Sequence, residues 1–356
     1  MPLSYTKSSQ SISVKWSASH FPNNLTVLRS AKSRVATYGV SHKSGFAMAT
    51  VSEDGKKQIH GQVITRAIGT DNTPVADNDA RFIAHVVQAA FISLPVRSIL
   101  VLACTKSVQI YDPEGTANLH IHMLDKTPPG RIEASTYSRG IVGISQNLLC
   151  VENRHTSIMR NSDPYISAGI HNGDILVFNI PPKGTNIFLK ETLSGHQYGI
   201  TGLVANDEYL VSSDTTGMIL IWNIGTMSQI SNIQPTSTEG ITSLAMWKNC
   251  IIASYANGMI QIFDVENAQI VGSITAHSRC INAIDCNDEG LVASVSDDCY
   301  VRVWQLTGDA EDLQIYHKCN HQIENSQLVG VKFLHLSQAD IAISMYDSNE
   351  VIVLRA

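Results

Sequence analysis

A histidine, a serine and an aspartate lie close together in the C-terminal third of the chain, at His277, Ser294 and Asp298. These are the residue types of a nucleophilic triad, in which the histidine takes a proton from the serine hydroxyl and the aspartate orients the imidazole. The same three groups can also form a buried hydrogen-bond network that only stabilises a fold. The choice between the two depends on the elements that position them.

Histidines and cysteines at alternating positions suggest a second chemistry, which is metal binding. His317, Cys319 and His321 follow one another at every second position, and alternate side chains of a β-strand share a face. A structural zinc site needs four ligands, usually from two separate segments, so this set is one ligand short. His120 and His122 have the same weakness. We therefore expect no metal site and no cofactor.

The overall composition limits the partners and the compartment. The 356 residues carry 25 Lys and Arg against 31 Asp and Glu, a net charge of −6, so the positive footprint of a nucleic-acid-binding protein is missing. No apolar stretch reaches the roughly 18 residues of a membrane span. The seven cysteines are odd in number, which fits reduced thiols better than a disulfide framework. We expect a cytoplasmic protein that neither binds nucleic acid nor inserts into a membrane.

The elements that position these residues come from an internal repeat of about 40 residues. The clearest unit contains three apolar segments of strand length, ITGLVA (200–205), YLVSS (209–213) and MILIWN (218–223). The next two units repeat this arrangement with first strands that begin at Ile241 and Ile281. A fourth segment closes each unit, and looser copies continue towards both ends of the chain.

Seven such units can be counted, and the last of them is split. Its three segments, VGVKFL, IAISMY and VIVLR, lack a fourth strand, for which SISVKW (11–16) is the obvious donor. A four-stranded unit has two apolar faces, which radial stacking buries. We therefore predict an all-β, seven-bladed β-propeller as a single domain over 1–356, closed by the N-terminal strand at 11–16. The predicted blades are 24–64, 81–124, 131–193, 195–233, 239–274, 277–319 and 328–355 with 11–16.

Two marks within the units resemble the WD-repeat propeller family, Gly-His before the first strand and Trp-Asp after the third. This chain has Gly195-His196 with Trp222-Asn223, and Ala276-His277 with Trp304-Gln305. The resemblance implies a buried structural network and therefore no catalytic residues. It assigns the network to His277, Ser294, Asp298 and Trp304 in one blade, and to His196, Ser212 and Trp222, with Thr216 in place of the aspartate, in another.

A narrower likeness lies in ILVFNIPPKGTNIFLKETLSGHQYGIT (175–201) and NNLTVL (23–28), which are similar to a small single-propeller member of the WD-repeat family. The likeness implies a protein that acts by binding other proteins and that supplies no chemistry of its own.

Two features are candidates for partner contact. Aligning the units on the first isoleucine of each places four residues at one position of the same propeller rim: Arg139, Tyr198, Glu239 and Arg279. Tyr and Arg are enriched at interface hot spots. The second feature is the segment 152–164, predicted as a loop, in which Arg154 and Arg160 make an acidic protein locally basic. The alternative for the rim is a set of polar, solvated loops, and the alternative for segment 152–164 is disorder.

The sequence therefore predicts a non-enzymatic scaffold or adaptor for protein–protein contacts. A homo-oligomer is also compatible with the sequence. The first alternative is a propeller enzyme with an active site in the central channel. The first strands that should line this channel offer only Asp285 and Cys286 as ionisable groups, and as strand neighbours these face opposite sides. The second alternative is a subunit of a trafficking or signalling complex, which would normally bring additional helical domains.

Overall fold

The computed structural model describes residues 4–8, 11–30, 35–52, 57–65, 84–95, 97–124, 136–144, 147–150, 158–161, 164–235, 238–335 and 338–356. In these residues every regular element is a β-strand. The strands of the first three sheets are β3 (Thr26–Ser30), β4 (Val35–His42), β5 (Gly45–Ser52) and β6 (Gln58–Ile64); β7 (Val86–Ser93), β8 (Ser98–Cys104), β9 (Ser107–Tyr111) and β10 (Asn118–Met123); and β11 (Ser138–Ile144), β14 (Tyr165–Ile170), β15 (Ile175–Asn179) and β16 (Phe188–Leu193).

The next three sheets contain β17 (Ile200–Ala205), β18 (Tyr209–Asp214), β19 (Ile219–Asn223) and β20 (Ser228–Ile233); β21 (Ile241–Trp247), β22 (Cys250–Tyr255), β23 (Met259–Asp264) and β24 (Ile270–Thr275); and β25 (Ile281–Cys286), β26 (Leu291–Ser296), β27 (Tyr300–Thr307) and β28 (Gln314–Gln322). The seventh sheet contains β29 (Leu328–Phe333), β30 (Ile341–Met345) and β31 (Glu350–Arg355), with β1 (Thr6–Lys7) and β2 (Ile12–Ser13). These sheets are the seven blades of a β-propeller, numbered here in this order.

The first strand of each blade lies innermost, and from blade one to blade seven each first strand packs against that of the following blade. Hydrophobic residues fill the space between blades: Tyr165 and Ile175 of blade three share a buried cluster with Leu203, Leu210 and Trp222 of blade four. Because each blade covers the apolar face of its neighbour, a unit that would be unstable alone contributes to a continuous core. The ring closes where Leu25 and Val40 of blade one meet Val329 and Val353 of blade seven, among other residues of one cluster.

The N-terminal segment completes blade seven, as the sequence predicts, but in two pieces. The strand predicted at 11–16 pairs with β31 through Ile12 and Ser13, opposite Val351 and Glu350. A second short strand, β1, continues along β31 with Thr6 opposite Arg355. The side chains of Ile12, Val14 and Tyr5 are buried, so the segment contributes apolar contacts as well as backbone pairing.

The segment predicted as a loop at 152–164 is partly β-structure. Residues Asn147–Cys150 (β12) and Ile158–Asn161 (β13) form a separate two-stranded antiparallel sheet between β11 and β14. Strand formation was missed because the predicted loop contains only the second strand, while its partner, NLLC, lies before it. Arg160 belongs to β13 and pairs opposite Leu148. Arg154 lies outside the described residues.

Candidate functional site: the channel mouth and the surrounding rim

A β-bulge near the start of the inner strand is shared by most blades. In blade four Ile200 pairs with Asp214 and Gly202 with Ser213, so Thr201 is the extra residue. The same shift makes Thr242 the extra residue of blade five. A bulge of this kind re-aims one side chain and bends the strand. In blade four the re-aimed side chain bonds within its own blade, where the hydroxyl oxygens of Thr201 and Ser213 lie 2.8 Å apart.

Blade three has the same bulge, but its register differs from the predicted one. Ser138 pairs with Ile170, and Ile141 pairs with Ala168. Ser138 is therefore the equivalent of Ile200 in blade four. The sequence alignment, which used Ile141 for this position, is off by three residues. The apolar pattern misleads here because Ser138 is satisfied by hydrogen bonding: its hydroxyl donates to the carbonyl of Gly169 at 2.8 Å.

Arg139 is therefore the bulged residue of β11 and not a rim residue. Its Nη2 donates to the carbonyl oxygen of Thr242 in blade five, at 2.8 Å, and so reaches past blade four. Asn23 Nδ2 lies 3.4 Å from the same oxygen. Burial lowers the pKa of Arg139, while nearby Tyr137 and Cys280 raise it. Three segments, from blades one, three and five, thus meet at one mouth of the central channel.

The other three predicted rim residues are exposed. Tyr198, Glu239 and Arg279 lie in the loops that precede β17, β21 and β25, and Tyr198 exposes 54% of its surface. The Tyr198 loop is held in position, because a Cβ at Gly199 would collide with the Tyr137 hydroxyl and crowd the carbonyl of His171. In blade three the equivalent position is Thr136, whose hydroxyl donates to the carbonyl of Thr105 at 2.7 Å.

The central channel contains a cavity of about 370 Å³. Its lining includes residues from the inner segments of all seven blades: Leu25, Ala89, Gly140, Gly202, Ser243, Ile284 and Lys332. Both predicted ionisable groups also line it. Asp285 is engaged by Lys332 Nζ at 2.6 Å and by the backbone amide of Phe333 at 2.8 Å. Burial raises the pKa of the Cys286 thiol, which keeps it protonated at neutral pH.

The histidine network of blade six connects three of the four predicted residues. His277 Nδ1 lies 3.0 Å from Asp298 Oδ1, and His277 Nε2 lies 2.8 Å from Ser294 Oγ. Burial lowers the pKa of His277 to about 4, so the imidazole is neutral at physiological pH. Burial alone would raise the pKa of Asp298, but bonds from Arg302 and His277 lower it to about 2.

Two features of blade six differ from the predicted network. Arg302, which the sequence did not single out, donates from Nη1 to Asp298 Oδ2 at 2.8 Å and lies 2.6 Å from His277 Nδ1. Trp304 is not part of the network: its buried Nε1 has no hydrogen-bond partner. Its ring instead packs edge-on against His317, with ring centroids 5.0 Å apart.

Blade four has the complete set of four groups. His196 Nδ1 lies 2.9 Å from Asp214 Oδ2, and Ser212 Oγ lies 2.7 Å from His196 Nε2 and accepts from Trp222 Nε1 at 2.8 Å. Thr216 does not replace the aspartate; its hydroxyl donates to Asp214 Oδ1 at 2.6 Å and supports it. Burial alone would raise the pKa of Asp214, but hydrogen bonds from His196 and Thr216 lower it.

The three candidate metal ligands of β28 do not share one face. A bulge in β28 pairs His317 with Trp304 but Cys319 with Val303, and adjacent positions of β27 face opposite sides. Accordingly, His317 packs on Trp304, while Cys319 packs against a different core cluster. His120 and His122 both pack edge-on against Phe178. Across the described residues no group of three or more potential ligands could hold a metal ion.

A closed ring of seven four-stranded blades, with a His–Ser–Asp network in two of them, defines a WD-repeat β-propeller. The WDR54 family model matches residues 5–355, and the chain belongs to this family. This confirms both the resemblance to WD-repeat propellers and the narrower likeness found in the sequence.

The relatives match over nearly their whole length. The chain is 26% identical to mouse WD repeat-containing protein 54 over 353 residues, covering 96% of this chain and 97% of the relative. The human protein of the same name gives 26% identity over 352 residues, with the same coverage. The crystal structure of the RRP9 WD40 repeats superimposes with a TM-score of 0.66 at 14% identity, over 96% of this chain and 97% of that one. No helix in the described ranges is long and apolar enough to span a membrane.

Proposed function

We propose that this protein is a non-enzymatic scaffold or adaptor that binds other proteins through the face carrying Tyr198, Glu239 and Arg279. The observation that carries the proposal is Tyr198, a large aromatic side chain that is 54% exposed on a loop fixed by close packing at Gly199. A rigid, exposed tyrosine offers a partner a large contact area with little loss of conformational entropy. Charges of both signs beside it can select the partner.

The chemistry of the channel supports a binding role over a catalytic one. Asp285 is engaged by Lys332, the Cys286 thiol is kept protonated by burial, and the two histidine networks serve as buried connections between strands. A general base or nucleophile requires a group with a suitable pKa in reach of a substrate. In this proposal the propeller acts as a rigid frame that presents surface residues to a partner protein.

The thiols support a reducing compartment for this function. Cys104, Cys250, Cys280, Cys286, Cys299 and Cys319 form no disulfide. We propose a cytosolic location on this ground, since disulfides persist in oxidising compartments.

The test compares two variants in affinity capture followed by mass spectrometry. The double variant Tyr198→Ala with Arg279→Glu removes the exposed aromatic and reverses a charge on the proposed face. The matched control is Tyr316→Ala, a tyrosine of similar exposure, 53%, on outer strand β28. We expect the double variant to lose the proteins that wild type and control both retain.

Thermal melts must accompany the capture, because both variants should stay within about 1 kcal/mol of wild-type stability, as is usual for exposed positions. A folded double variant that captures the same proteins as wild type would place the interaction elsewhere on the ring.

A further inference from the structure

Arg139 is a partly buried cation on inner strand β11. Of the five N–H donors of its guanidinium, one makes a hydrogen bond in the described structure, from Nη2 to the Thr242 carbonyl. Among the described residues no carboxylate forms an ion pair with it. Even partial burial costs a cation some of its hydration, and one neutral carbonyl compensates only a part of this loss. The guanidinium therefore retains donors that a further anion could use.

The position of this cation relates it to the proposed binding face. Arg139 follows Tyr137, whose hydroxyl lies against the loop of the exposed Tyr198. Its guanidinium ends at Thr242, which follows the Glu239 loop at the start of β21. Arg139 also lies close enough to Cys280, the residue next to Arg279, to oppose the rise that burial causes in the pKa of this thiol. The guanidinium therefore lies at the channel mouth, inside the arc formed by Tyr198, Glu239 and Arg279.

We infer that Arg139 receives the carboxylate of an Asp or Glu side chain from a peptide segment of the partner protein. The inference rests on the proposed binding function and specifies the chemistry of its ligand. A carboxylate can accept two parallel hydrogen bonds from one guanidinium, which is the strongest geometry for such a pair. The partner side chain would enter the channel mouth while its backbone lies across the exposed rim.

The surrounding charges favour a carboxylate over a phosphate. Arg279 is a second cation nearby. Glu239 and Asp297, however, raise the pKa of the same Cys280 thiol whose pKa Arg139 lowers, so acids lie close to the guanidinium as well. Asp297 Oδ1 is held there by Asn282 Nδ2 at 2.6 Å. A phosphate carries nearly two negative charges at neutral pH, and would meet these acids with a stronger repulsion than a single negative charge.

The probe is a random peptide display library, selected on the wild-type protein. We expect the selected peptides to share Asp or Glu at one fixed position. The strongest binder is then synthesised with Glu, with Gln and with phosphoserine at that position, and the dissociation constants are measured by fluorescence polarisation. On wild type, we expect Glu→Gln in the peptide to weaken binding about tenfold or more, as buried charge pairs at interfaces do.

The protein variants show whether Arg139 is the residue that reads this acid. With Arg139→Gln, the Glu and Gln peptides should bind about equally. The control Arg279→Gln lowers the same charge on the exposed rim and should preserve the preference for Glu. Arg139→Lys keeps the charge but not the double hydrogen bond, and should show an intermediate preference; it also provides a test if the glutamine variant does not fold.

Three results would overturn the inference: no selected peptides or no fixed acidic position, tighter binding of the phosphoserine peptide than of the Glu peptide, or an unchanged preference for Glu in the Arg139 variants. Its failure is distinguishable from failure of the binding function. If Tyr198→Ala with Arg279→Glu abolishes partner capture while Arg139→Gln does not, the face binds proteins but Arg139 does not read an acid.

Discussion

Ser212 and Ser294 occupy matching positions in the networks of blades four and six, and their removal should affect stability unequally. Both side chains are fully buried. Ser212 Oγ connects two groups, His196 Nε2 and Trp222 Nε1, and Ser212→Ala would leave both without a partner. At about 1–3 kcal/mol for each stranded buried group, the expected loss is roughly 2–6 kcal/mol.

Ser294→Ala should have about half of this effect. Ser294 Oγ lies beside His277 Nε2, but Trp304 Nε1 already lacks a partner, so the substitution strands one ring nitrogen and about 1–3 kcal/mol is expected. Urea denaturation of the two variants, followed by tryptophan fluorescence and far-UV circular dichroism, gives the two free energies of unfolding. Equal losses, or a larger loss for Ser294→Ala, would refute the argument.

A second pair of variants checks the same reasoning from the donor side. Trp222→Phe removes a donor that Ser212 accepts and should lower stability by about 1 kcal/mol or more. Trp304→Phe removes an N–H that has no acceptor and loses only ring packing, so it should destabilise the protein less than Trp222→Phe. A destabilisation of Trp304→Phe as large as that of Trp222→Phe would show that the Trp304 indole is bonded in solution.

Two further predictions concern pH and ring closure. Because burial lowers the pKa of His277 from 6.5 to about 4, the unfolded chain binds this proton first as the pH falls, and stability should fall by about 2 kcal/mol between pH 7 and pH 5. His277→Asn should remove this part of the pH dependence in urea melts, and an unchanged slope would contradict it. Deleting residues 1–14 removes the buried Tyr5, Ile12 and Val14, at about 1.5–3 kcal/mol each, and exposes the β31 edge to association. The deletion should lower the melting temperature and give dimers or aggregates in size-exclusion chromatography, unlike the exposed-site control Lys15→Ser; a monomer with unchanged melting would count against the closure.

The fold could be predicted because a repeat reports the long-range arrangement directly. First strands at Ile200, Ile241 and Ile281 recur with the period of one blade, and a missing fourth strand in the last unit requires a donor such as Ile12–Ser13. Register within a blade is a weaker signal, since it depends on bulges. In β11, Ser138 stands where blades four to six have an isoleucine. The alignment therefore used Ile141 instead, and this wrongly assigned Arg139 to the rim.

The histidine networks also show that residue spacing taken from one blade does not identify the acid in another. In blade six the acid, Asp298, comes four positions after Ser294, whereas in blade four Asp214 comes two positions after Ser212, and both reach Nδ1 of the histidine. A carboxylate can approach one ring nitrogen from different points of the turn, so counting residues from one blade to another is unreliable. In blade four the sequence signal for the correct acid was Asp214 itself, which directly follows Ser212 and Ser213. Arg302 could have been found as well, because it lies opposite Ser294 in the β26–β27 hairpin.

The pairing of β1 and β2 with β31 is the seam that closes blade seven. It also fixes the order in which the parts of the molecule can fold. Thr6 and Arg355, which pair across the seam, are 349 positions apart, so at roughly 5–20 residues per second the N-terminal strands wait for tens of seconds for a partner to leave the ribosome. Blades four to six need only local pairing and can form as they emerge. Ring closure is therefore the last step of assembly, and the apolar Ile12 and Val14 must be shielded until then by a chaperone or by transient contacts. The same seam should be the first to open, so that amide hydrogens of β1, β2 and β31 exchange ahead of those in β25 and β26.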